Sequence, residues 1–180
     1  MLDNEKHLIV KAKQGEAASF GVLYDHYASQ IYRFIYFKVN NRGEAQDLLH
    51  EVFLSAWQNI PGYNDRGLPF SSWLYQIARN RVIDHYRTRK VYADLATAEL
   101  VVAPETGWLE KKLGLEKIQR ALRQLNQEQQ NLIIMRFIND LSPPEIAAVL
   151  DKSEGAVRLA QHRALNQLRK IIKDQENGTR

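Results

Sequence analysis

Apolar residues recur at helical spacing along most of this 180-residue chain, with few β-branched runs and no alternating stretch, so the pattern predicts helices throughout. A short helix is expected over about residues 4–13, stopping before Gly15, and a long one over about 16–39. The long one carries Phe20, Tyr24, Tyr27, Ile31 and Phe34 on one stripe, and its aromatics suit core packing. Asn40-Asn41-Arg42-Gly43 is turn chemistry. The next helix, about 44–59, has a clean stripe of Ala45, Leu48, Leu49, Val52, Phe53, Ala56 and Trp57. Its other face reads Asp47, His50, Glu51, Leu54 and Gln58, at i, i+3, i+4, i+7 and i+11. One exposed leucine needs no explanation. With an acidic flank it equally suits the centre of a protein-docking patch.

Pro61 to Pro69 is a loop bounded by Gly and Pro. The helix opening at Phe70 is expected to bury Phe70, Trp73, Leu74, Ile77, Val82 and Tyr86. Its outer faces carry Gln76, Asn80, Asp84 and Arg87 and, alongside, Arg79, Ile83 and Lys90. Arg, Asn and Gln are donors of the kind that grip phosphates or read base edges. Residues 91–110, with Pro104 and Gly107, read as a linker. Helices over about 108–124 and 127–138 and two short ones follow. The fold class is therefore all-α: two small helical domains, 1–90 and 111–180, joined by the linker 91–110.

Charge sharpens this division. Residues 79–90 hold five Lys or Arg against one acid, and residues 152–173 hold six against Glu154 alone. Between them, 91–110 carries four acids and no Lys or Arg. The net charge of +4 says little, but two basic patches flanking an acidic stretch suit a bipartite polyanion binder. The chain has no cysteine, which excludes disulfides and thiolate sites. No run is apolar enough to span a membrane, and the first residues do not read as a secretory signal, so a cytoplasmic protein is expected. His50-Glu51 is not followed by a second histidine at metal-binding spacing, and neither a phosphate loop nor a nucleophile elbow appears. No enzyme, metal, cofactor or small-molecule substrate is expected.

The sharpest motif lies near the C-terminus. Ser142, Pro143 and Glu145 form a capping box with proline at the first helical position. Asp151-Lys152-Ser153 makes a tight turn, Ser153 caps the next helix, and Val157, Ala160, Ala164, Leu168 and Ile171 form its inner stripe. Small Ala147 lets the two helices cross closely, which completes a helix-turn-helix. Asp151 occupies the turn position often filled by Gly, and Asp tolerates a left-handed backbone better than most residues. The second helix offers Glu154, Arg158, Leu159, His162 and Arg163 to a major groove, with Lys152 and Ser153 at its start.

Asp47 to Trp57 followed by Phe70 to Arg87 resembles the second conserved region of bacterial sigma factors, and Ser142–Leu168 looks like their fourth. With little between, the chain resembles the compact extracytoplasmic-function (ECF) group. The resemblance implies a factor that binds core RNA polymerase and directs promoter-specific transcription initiation. The helix matching 44–59, through Asp47, His50, Glu51, Leu54 and Gln58, would dock on a coiled coil of the largest subunit. The loop and helix matching 61–90, through Tyr63, Asn64, Arg79, Asn80, Arg87 and Lys90, would meet the −10 element, with an unstacked base held near the loop. Lys152, Ser153, Glu154, Arg158, His162 and Arg163 would meet the −35 element. The linker would thread towards the polymerase cleft, and an anti-sigma factor would be the controlling partner. The chain departs from the family at Asp151 and at Leu159-Ala160-Gln161, where a Ser-Arg-Leu type run is more frequent. A stand-alone helix-turn-helix regulator is the alternative, and it leaves the basic helix 79–90 and the Leu54 face without a role.

Overall fold

The computed structural model describes residues 2, 4–65, 67–95 and 117–177, and among these every regular element is helical. The chain divides into two compact units, Met1–Tyr92 and Ala93–Arg180, each with its own core.

In the first unit α1 (Glu5–Lys13) reverses into α2 (Ala17–Val39) through Gly15, whose φ of 90° favours glycine. The expected four-residue turn after α2 is shorter. Asn40 takes the left-handed conformation, and the Asn41 side chain accepts the Glu44 N–H at 3.1 Å, so α3 (Arg42–Asn59) starts two residues early. A 3-10 turn, Ile60–Gly62, and a loop lead to α4 (Phe70–Leu95).

Leu23, Tyr27, Ile31, Phe34 and Ile35 of α2 share the core with Ala45, Leu48, Leu49, Val52, Phe53 and Ala56 of the expected α3 stripe, while Trp57, its last member, is only half-buried. Phe20 and Tyr24 are half-buried at the edge of the core, where they cover Phe53 and Trp57 with ring centroids 4.6–6.3 Å apart.

The inner face of α4 differs from the expectation. Trp73, Ile77 and Tyr86 are only half-buried, while Ser71, Tyr75, Ala78 and Val82, at i, i+4, i+7 and i+11, form the inner row with Phe70 and Leu74. Tyr75 meets Phe34 edge-on at 5.5 Å, and the Tyr86 hydroxyl donates to the Lys38 carbonyl at 2.6 Å. Nor does α4 stop at residue 90. Val91 to Leu95 contains neither Gly nor Pro, and the helix continues through it. Residues 96–110 of the expected linker and 108–116 of the helix after it lie outside the described residues.

The second unit comprises α5 over 117–123, α6 (Gln127–Ile133), α7 (Pro143–Leu150) and α8 (Glu154–Asn177). A capping box of Asn126 and Gln129 starts α6, and a π-helical turn, Ile134–Ile138, ends it with Asn139 N–H donating to the Ile134 carbonyl at 3.1 Å. The core joins Leu122, Leu132, Ile134, Met135, Ile146 and Val149 to Val157, Ala164, Leu168 and Ile171 of α8. Of the expected α8 stripe, Ala160 is half-buried. At 24 residues α8 is not the short helix expected. Its apolar row simply continues to Ile171, and no Gly or Pro stops it before Asn177.

Lys38 is buried at the foot of α2, and desolvation, with the nearby Arg79 charge, lowers its pKa to about 8. The unfolded chain keeps this proton up to its ordinary value, so the burial penalty is full below pH 8 and is relieved as pH rises towards 10.5. Lys38→Met should therefore stabilise the chain at pH 7 by ~1–3 kcal/mol in urea melts. The gain should shrink between pH 8 and 10.5; a gain constant across that window would mean that Lys38 carries no such penalty.

Candidate protein- and nucleic-acid-binding surfaces

The α3 face emerges as the residue pattern requires. With its apolar stripe against α2, Asp47, His50, Glu51, Leu54 and Gln58 are all exposed along one side of the helix. Leu54 is 58% exposed at its centre, an apolar group between acids, an imidazole and an amide. Glu44, in the first turn of the same helix, reaches across to α4 and accepts from His85 Nε2 at 3.0 Å and Arg89 Nη1 at 3.3 Å. That fixes the start of the α3 face relative to the basic end of α4.

The loop after α3 wraps a cleft of about 420 Å³. Tyr63 and Trp73 form an aromatic wall with ring centroids 5.0 Å apart, and Phe70 backs both rings. Amide side chains from Asn59, Asn64 and Gln76 line the rest, together with Ser72, whose buried hydroxyl has no hydrogen-bond partner among the described residues. An aromatic wall facing amides and a hydroxyl suits a flat group with a hydrogen-bonding edge. Tyr63 is buried, and desolvation, then Asp65 and Glu5, push its phenol up to about 12, so it stays a neutral donor. The α1 helix holds this loop in place. Lys13 Nζ donates to the Tyr63 carbonyl at 2.8 Å, and Lys6 lies 3.7 Å from Asp65. Asn59, Ser72 and Trp73 were absent from the expected site. The end of α3, the loop and the start of α4, three successive elements, build the cleft, and no regular spacing marks its residues.

From the cleft a polar row runs up α4: Gln76, Asn80 and Arg87 lie at i, i+4 and i+11, with Asn80 and Arg87 exposed. Arg79 is on a neighbouring face, half-buried and turned to the Lys38 side. Lys90 belongs to the same helix, and its side chain lies outside the described residues.

In the second unit the capping box forms as expected. Glu145 Oε2 accepts from the Ser142 N–H at 2.7 Å, and the Glu145 N–H donates to Ser142 Oγ at 3.5 Å. Asp151 takes the left-handed conformation, φ 53° and ψ 51°, and Ser153 Oγ accepts the Ala156 N–H at 3.3 Å. These contacts set where α8 begins. Lys152, Ser153, Glu154, Arg158, His162 and Arg163 are all exposed around its first three turns. Two of the cations have acidic neighbours: Lys152 is paired with Glu128, and Arg158 lies 3.7 Å from Glu154. Such a helix, its N-terminal turns lined with cations and an imidazole, has the form that enters a major groove.

Among the described residues no helix is long and apolar enough to cross a membrane, and no group of side chains could hold a metal ion. Two family models match: sigma-70 region 2 over residues 23–91 and sigma-70 region 4 over residues 115–168, together more than half of the chain. The ECF RNA polymerase sigma factor BldN of Streptomyces coelicolor is 37% identical over 93% of this chain, which spans 65% of that relative's length. The ECF RNA polymerase sigma factor SigW of Bacillus subtilis is 32% identical, with 94% of this chain and 97% of the relative covered. In fold, the chain is similar to the sigma factor RpoE of Bartonella quintana, solved in complex with the anti-sigma factor NepR. The TM-score is 0.69 at 23% identity, covering 86% of this chain and 96% of that one.

The left-handed backbone at Asp151 gives a test of the α7–α8 turn. Asp151→Gly removes the Cβ strain and should raise the urea midpoint of the full chain by the equivalent of ~0.5–1 kcal/mol. A lowered midpoint would show that the aspartate side chain contributes more than its backbone costs.

Proposed function

This chain belongs to the ECF RNA polymerase sigma factors, and we propose that it binds core RNA polymerase and directs initiation at promoters with paired −35 and −10 elements. The observation that carries the reading is the coexistence in one chain of three outward surfaces, in the family's order. The exposed Asp47–Gln58 face of α3 docks on the coiled coil of the largest polymerase subunit, with Leu54 as its apolar centre. The cleft beside Tyr63 and Asn64 receives one unstacked base of the −10 element, and Arg79, Asn80, Arg87 and Lys90 hold the adjoining strand. Lys152, Ser153, Glu154, Arg158, His162 and Arg163 meet the −35 element. In domain terms, residues 1–90 serve polymerase and −10 binding, 91–110 link, and 111–180 bind the −35 element. With α4 running to Leu95, residues 96–110 would reach about 50 Å when extended, so linker and domains together would span the roughly 70 Å of two turns of duplex.

The protein acts in the cytoplasm without catalytic chemistry of its own, and an anti-sigma factor controls it, as one binds its structural neighbour. A stand-alone regulator would use α8 in the same way but would need neither the α3 face nor the cleft.

Leu54→Glu should weaken binding to core polymerase by more than tenfold, the loss of an apolar hot spot worth ~2 kcal/mol, while the circular-dichroism melt stays native. Unchanged affinity would remove α3 as the polymerase anchor. Arg158→Ala in the holoenzyme should relax preference at one or two −35 positions at ~1–3 kcal/mol and leave −10 preference alone. Inserting half a helical turn, about 5 base pairs, between the elements should abolish transcription. Indifference to both changes would mean that the two domains do not read one promoter.

A further inference from the structure

Looking down α8, successive side chains turn by about 100°, so the rows on the helix can be placed relative to its core. Val157, Ala164, Leu168 and Ile171 define the buried direction. Gly155, Leu159, His162 and Asn166, at i, i+4, i+7 and i+11, form the row directly opposite, and all four are exposed. Leu159, 52% exposed, lies in that row roughly 150° from the buried direction. Its neighbours one turn away, Gly155, Ala156, His162 and Arg163, are exposed as well, so it has no share in the core of the unit. Nothing lies within 4 Å of where a Gly155 Cβ would stand, which leaves the first turn of this row open.

This proposal rests on the reading of α8 as the −35 recognition helix and deepens it. We propose that Leu159 is a specificity-determining residue that packs on the C5-methyl group of one −35 thymine. In the major groove thymine is distinguished by that methyl, the one apolar group on a base edge, and an apolar side chain is what recognises it. The position supports the assignment. Leu159 lies beside His162 on the side opposite the core, with Arg158, suited to a guanine edge, on the flank beyond His162, and it points where a groove-bound helix would meet base edges. A residue merely tolerated on the surface would owe nothing to this row, in which every other member is small or polar.

The test uses holoenzyme assembled from core polymerase and the full chain, which selects a promoter from duplexes randomised through the −35 element. Each −35 thymine of the selected duplex is then replaced singly by deoxyuridine, which keeps every hydrogen-bonding group and removes only the methyl. The wild-type holoenzyme should lose about fourfold in affinity at one position, the worth of one buried methyl group. Leu159→Ala should bind the unsubstituted duplex more weakly and lose nothing further at that position. A selected element without thymine, insensitivity to every deoxyuridine, or a Leu159→Ala variant that keeps the wild-type sensitivity would each overturn the proposal. If Arg158→Ala still alters −35 preference in those cases, the Leu159 assignment alone falls. If no −35 preference emerges and Arg158→Ala changes nothing, the recognition-helix reading falls and takes this assignment with it.

Discussion

The packing of α3 on α2 orients the whole N-terminal unit. Phe20 and Tyr24 close over Phe53 and Trp57, and each aromatic pair is worth ~0.5–1.5 kcal/mol beyond the area it buries. Rotating α3 by one residue would swing its side chains through about 100°, pulling Val52 and Phe53 towards water and driving charged groups inwards. The buried stripe therefore decides what the opposite side presents, and Leu54 is held outward by the residues that flank it in sequence. The same helix passes directly into the Ile60–Gly62 turn and then Tyr63. The α3 face and the wall of the cleft are thus joined by a single short turn.

The two units were unequally legible in the sequence, for reasons that lie in particular residues. On α3 the apolar and polar positions separate without conflict, so both faces followed from spacing alone. On α4 they do not, because Phe70, Trp73, Leu74, Tyr75 and Ile77 point nearly all round the helix. Spacing favoured Trp73 and Ile77 as core, but buried Ser71 and Tyr75 occupy that row, and Trp73 turns to Tyr63 instead. The helix-turn-helix was readable because its start and turn are local chemistry: a serine, a proline, a glutamate three residues on, and an aspartate able to go left-handed. The cleft depends on how the end of α3, the loop and the start of α4 fold back on one another. Ser72, ordinary as a residue near a helix start, becomes a buried hydroxyl in its wall only once the loop folds over it.

Electrostatics then separates cations that hold the fold from cations free to exchange partners. Arg89 pairs with Glu44, which also bonds the His85 ring, and this links two helices. Lys152 with Glu128 and Arg158 with Glu154 are solvent-exposed pairs, of a kind worth only ~0–1 kcal/mol. Giving up such a pair for a phosphate or a guanine edge costs little, and release of counterions from the duplex adds to the gain. The acids beside these cations would therefore do little to oppose specific binding of α8 as proposed, while reducing its net attraction for any duplex.

Reading bases demands more than attraction, because a hydrogen bond to a base edge fails when its donor is displaced by a fraction of an ångström. The start of α8 is accordingly fixed from three sides: the Ser142–Glu145 box sets α7, Asp151 turns the chain, and Ser153 caps the new helix. The left-handed aspartate costs ~1 kcal/mol relative to glycine, a local expense the unit sustains because its core carries α7 and α8 together. Once the helix start is fixed, the azimuth of every later residue follows. Arg158 and Arg163 lie on the two flanks of the exposed side of α8, and Leu159, His162 and Asn166 lie between them, opposite the core. With α8 in a groove as proposed, rotation alone would place Arg158 towards a base edge from one flank and the Leu159 row towards the bases between the flanks.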